Sequence, residues 1–283
     1  MSIPIWKYAL SMLTYFVVLL CITELLRKKY KLANIVWICS LLTFPLWLMG
    51  GVSGWFRWAK ILSVILPTIV VGFCRIANFE ERKGSFWEFF QKGWILWFVY
   101  GMLFLNILEA TLKDVSLGNY ANAACGFLLC ATIPFAPKFW EYSKTGEGDL
   151  ICYTTVGWNF LYTTWNLCFV YGESPNYFAS TICILMAAEL YPIFKKKPEL
   201  YIMSRVYTLA THMILRSCFG TMFLKVMDAS TWYNASFAKY WGILNFILII
   251  PYLFWYMWQL HTGKAEISFK RGKTNNNVTT LNT

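Results

Sequence analysis

The chain has 283 residues, 58% of them apolar and 19% aromatic, with a formal net charge of +11. That apolar fraction excludes an ordinary soluble domain and a disordered chain. The basic excess falls in alternate loops rather than in one patch, which excludes a nucleic-acid surface as its cause.

Nine apolar runs, 3–26, 32–52, 59–74, 93–110, 119–137, 150–171, 177–194, 201–224 and 240–260, approach the length of a membrane crossing. The expected fold is an all-α polytopic transmembrane helix bundle of about nine helices, or eight if one of the short runs does not cross. Of 25 lysines and arginines, 17 lie at 27–31, 75–92, 138–144, 195–197 and 264–273. By the positive-inside pattern these segments are cytoplasmic, the N-terminus is outside and the C-terminus is inside. A single membrane domain over 1–262 and a basic, then Asn/Thr-rich tail over 263–283, with the composition of a disordered segment, complete the division. Plasma membrane is the expected location, and membrane lipids are the expected surroundings.

The first run is followed at once by Arg27-Lys28-Lys29, which suits a retained anchor better than a cleaved signal peptide. Glu24 lies near its charged end. Gly51-Val52-Ser53-Gly54 has the shape of an intramembrane serine nucleophile turn, but four residues with two glycines also make an ordinary helix-ending turn, which is the favoured reading. Between runs three and four, Phe86, Trp87, Phe89 and Phe90 alternate with Glu88, Gln91 and Lys92, as in a short helix resting in the headgroup layer. Asn106 and Glu109 stand three apart near the end of run four, either as an inward polar pair or as an interfacial amide and acid.

In run six a Trp-Asn pair recurs after seven residues. Helical spacing sorts it into an aromatic stripe (Trp158, Tyr162, Trp165, Phe169) beside a polar one (Asn159, Thr163, Asn166). Rings next to amides suit a polar organic ligand, with helix-to-helix glue as the alternative. Run eight carries Arg205, His212 and Arg216, and at about 100° per residue all three share one face. Glu189, near the end of run seven, should reach Arg205 as a structural or gating ion pair across the short Lys195–Lys197 loop.

The nine cysteines include no C-x-x-C pair, and two histidines provide no multi-histidine metal set, so no metal site or cofactor is implied. Buried Arg216 and His212, with Trp158, Asn159, Tyr162, Trp165, Asn166, Asn106 and Glu109, form the expected ligand-binding set, and Glu189 and Arg205 the expected ion pair. These residues favour a transporter or channel for a small polar or anionic solute. A membrane-embedded ligand sensor, or a lipid-modifying enzyme using His212 or Glu189, are the alternatives.

Overall fold

The computed structural model describes residues 3–270. The helices are α1 (Ile5–Lys28), α2 (Tyr30–Leu41), α3 (Phe44–Met49), α4 (Trp55–Phe79), α5 (Ser85–Gln91), α6 (Trp94–Ser116), α7 (Tyr120–Ala131) and α8 (Ala136–Phe139). A hairpin of β1 (Trp140–Tyr142) and β2 (Leu150–Cys152) precedes α9 (Val156–Glu173), α10 (Phe178–Lys195), α11 (Tyr201–Met227), α12 (Ala235–His261) and α13 (Ala265–Phe269). The all-α class follows from the sequence.

Five helices, α1, α4, α6, α10 and α12, are long and apolar enough to cross a membrane, consistent with an integral membrane protein. The other apolar runs depart from the simple count for identifiable reasons. Run two breaks at Leu42–Thr43, just before Pro45, whose ring cannot continue a helix and which instead opens α3. α7 has 12 residues, roughly 18 Å at 1.5 Å per residue, short of a bilayer core of about 30 Å. α9 and α11 are long, but their polar side chains are packed among other helices. Helix α11 packs against α1, α3, α4 and α10, and its backbone leaves helical geometry at Phe219. α1 and α12 expose apolar side chains outward, including Leu10, Leu13, Ile247, Phe254 and Met257, as lipid-facing helices do.

The hairpin is absent from the sequence expectations, which place a helix from residue 150. β1 and β2 pair antiparallel, Trp140 opposite Cys152, and carry a short loop back into the bundle. There Asp149 accepts two hydrogen bonds from Arg27, Nε at 3.0 Å and Nη2 at 2.8 Å. Fully buried Arg75 donates to the carbonyls of Gly148, Glu147 and Arg27, and to the Tyr207 hydroxyl. Two arginines, one aspartate and three carbonyls thus clamp the loop across α1, α4 and α11 at the end of the bundle that holds Lys28 and Lys195. Residues 265–269 of the expected tail are helical, and Phe269 is buried against Phe139 and Tyr256; residues 271–283 lie outside the described residues.

Outside the spans, Glu80 accepts from Tyr30 at 2.6 Å and from Arg82 at 2.7 Å, and pairs with Lys31 at 2.8 Å. Burial pushes its carboxyl up, but these bonds outweigh that and hold it at about 2. The aromatic loop forms α5 as expected, with Phe86 and Phe89 exposed.

Candidate functional site

Helix α11 carries Arg205, His212 and Arg216 on the face that looks into the bundle, and two cavities follow that face. The deeper one, a chamber of about 110 Å³, is lined by Arg205, His212 and Arg216 together with Asn106 and Glu109 of α6 and Tyr162 and Asn166 of α9. The outer one, a vestibule of about 530 Å³, is lined by Arg57, Tyr177, Ser217 and the turn at Gly50–Val52. Lys60, Glu173, Ser174, Met213 and Arg216 border both, so Arg216 stands at the boundary between them.

Arg205 is 7% exposed. Its Nη2 donates to Asn166 Oδ1 at 3.1 Å, while Nε and Nη1 have no hydrogen-bond partner. His212 is 1% exposed, its Nδ1 lies 2.9 Å from the Tyr15 hydroxyl, and its Nε2 has no partner. When Tyr15 donates to Nδ1, the imidazole hydrogen sits on Nε2 as a second unused donor. Phe223 flanks both rings, at 5.1 Å from His212 and 5.2 Å from Tyr15, closing the space behind the imidazole. Arg216 lies over the Tyr177 ring at 3.6 Å, and Lys60 pairs with Glu109 at 3.4 Å.

Buried polar groups are normally satisfied, and a buried ion without a counter-ion costs several kcal/mol even after relaxation. Three nitrogens without a partner thus sit on two buried side chains that border one small cavity.

The structure brings Arg205, His212, Arg216, Asn106, Glu109, Tyr162 and Asn166 together, and it places the other expected residues elsewhere. Trp158 and Trp165 are fully buried against α7, where their ring N–H groups donate to Leu129 O at 3.4 Å and Asn122 O at 3.0 Å. Trp158 stacks on Tyr162 at 5.1 Å and Trp165 on Phe169 at 6.3 Å, so this stripe fastens α9 to α7. Asn159 donates to Pro198 O at 3.4 Å and is a helix-to-loop tie. The ion pair between Glu189 and Arg205 is also corrected: Glu189 accepts from Thr163 Oγ1 at 2.8 Å, and Arg205 turns to Asn166. Thr163 is in turn 2.7 Å from the Tyr201 hydroxyl, which makes a polar layer between α9, α10 and α11.

Residues that sequence reasoning missed include Tyr15, Lys60, Glu173 and Tyr177. Lys60 reads as a loop cation when the helix is started at 59, whereas α4 begins at Trp55 and carries Lys60 inward. Ser53 is exposed in the turn between α3 and α4, where Gly51 and Gly54 supply the left-handed backbone, φ of 82° and 81°. All nine cysteines are free, and no cluster of three metal-ligating side chains occurs among the described residues.

Comparison with protein-family models, curated proteins and solved structures returns no match.

Proposed function

We propose that this chain is a membrane transporter or channel for a small anionic solute, held in the chamber by Arg205 and His212 and admitted past Arg216. The observation that carries this reading is Arg205: a buried guanidinium with two unpartnered nitrogens and, among the described residues, no carboxylate in ion-pair contact with it. Intramembrane cations that face an internal cavity mark substrate paths. The vestibule supports a route inward, because Arg57, Lys60 and Arg216 line its wall and attract anions to the mouth.

With the N-terminus outside, as the loop charges suggest, the vestibule opens outward, since Tyr8 near the start of α1 reaches the backbone of Asp228 at the end of α11. The Arg27–Asp149–Arg75 clamp then closes the opposite end. Alternating access would open that clamp and shut the vestibule.

Uptake of labelled anions into proteoliposomes tests the reading. Saturable uptake that Arg205→Gln and Arg216→Gln each reduce at least tenfold is the expected result. Tight binding with no flux would instead favour the sensor, which could use the same chamber.

A further inference from the structure

We infer that the ligand of the chamber is a singly charged carboxylate with a short apolar body; this rests on reading the chamber as an anion site. The charge comes from the lining. Five charged side chains border the chamber: Lys60, Arg205, Arg216, Glu109 and Glu173. Lys60 and Glu109 pair at 3.4 Å, and Glu173 lies within electrostatic reach of Arg216 beside both cavities. Among the described residues of the lining one positive charge, on Arg205, is left without a counter-ion, so one negative charge balances the chamber. A dianion would set its second charge beside Glu109 and Glu173 inside about 110 Å³, and the next cation, Arg57, lines the vestibule and not the chamber.

The donors point to a carboxylate rather than a spherical ion. Arg205 and His212 are seven residues apart, about two turns along one helix face, and each holds unpartnered nitrogen. A carboxylate has two oxygens and about four acceptor positions, so it accepts from a planar guanidinium at more than one point, which a spherical ion does not. Beyond the charged groups the wall is mixed: Val64, Ala110, Phe169, Ile184 and Leu209 form an apolar part beside Asn106, Asn166, Ser174 and Thr181. An inorganic anion leaves the apolar part of the wall uncovered, whereas a short alkyl or alkenyl body buries against it. At about 30 Å³ per displaced water, the chamber suits an acid of about two to four carbons.

The test is equilibrium binding to the purified full chain in lipid nanodiscs, with acetate, propionate, butyrate, succinate, phosphate and chloride measured in the same Hepes buffer. The inference predicts that propionate or butyrate binds at least tenfold tighter than succinate, phosphate or chloride, and that Arg205→Gln removes most of that difference. If Arg205→Gln does not fold, the wild-type order of affinities decides alone. Succinate binding tighter than propionate overturns the charge count. Chloride or phosphate binding tightest, in an Arg205-dependent way, overturns the carboxylate class and leaves the anion site standing. Failure of every anion in the panel to bind overturns both.

Discussion

Replacing Arg205 with methionine should make the empty protein no weaker while destroying its response to ligand, a combination that a merely structural arginine would not give. Arg205 is buried, hydrogen-bonded once and, among the described residues, in ion-pair contact with no carboxylate. Exchanging a poorly compensated buried ion for an apolar side chain of similar length is commonly stabilising by about 1–4 kcal/mol. The lost bond to half-buried Asn166 removes about 1 kcal/mol, leaving an expected gain of about 0–3 kcal/mol in the empty state. In wild type, a ligand at a hundred times its Kd adds about 2.7 kcal/mol, and in Arg205→Met that increment disappears. Denaturant unfolding of the protein in detergent, with and without propionate, reads both numbers. An empty Arg205→Met protein that is less stable by more than about 2 kcal/mol, or one that keeps the propionate increment, refutes the argument.

The clamp makes a contrasting case: Asp149→Asn strips the carboxylate from Arg27 and Arg75 and should cost about 3–5 kcal/mol in the same unfolding assay, because two buried cations lose their counter-ion. For Glu80 the carboxyl is held at about 2 against an ordinary 4.5, so its stabilisation is complete above about pH 4.5 and is lost as pH falls toward 2. Glu80→Gln should therefore flatten that part of a melting-temperature profile and lower stability near pH 7. Gly50→Ala should destabilise by about 1–3 kcal/mol, since a Cβ there would lie 2.1 Å from the Ser217 carbonyl oxygen, a backbone atom that cannot step aside. A folded Gly50→Ala protein with unchanged melting temperature would contradict the close packing of α3 on α11.

The charged face of α11 could be read from spacing alone, because a helix fixes the angle between its own residues. Its partners were legible only where another single helix fixed them too, as with Asn106 and Glu109 on α6, or Tyr162 and Asn166 on α9. Depth is set by a short loop, but rotation about the axis is not. Glu189 and Arg205 were matched in depth, yet each turns to α9 instead, Glu189 to Thr163 and Arg205 to Asn166. The seven-residue Trp-Asn repeat likewise gave the right two stripes without saying which faced the cavity. Buried indoles need an acceptor for their N–H, and the carbonyls of α7 supply one, so Trp158 and Trp165 turn to α7 while Thr163 and Asn166 of the polar stripe meet α10 and α11. The clamp lay beyond reach of any local pattern, since Arg27 and Asp149 are 122 residues apart.

The contact at the centre of this account, an anion on Arg205, can be observed directly by solid-state NMR of the full chain in lipid. Propionate labelled with ¹³C at the carboxylate, added to protein with ¹⁵N-labelled arginine, should show dipolar coupling to one guanidinium that vanishes in Arg205→Gln and survives in Arg57→Gln. Coupling that persists in Arg205→Gln and is lost in Arg57→Gln would place the anion in the vestibule and contradict the chamber.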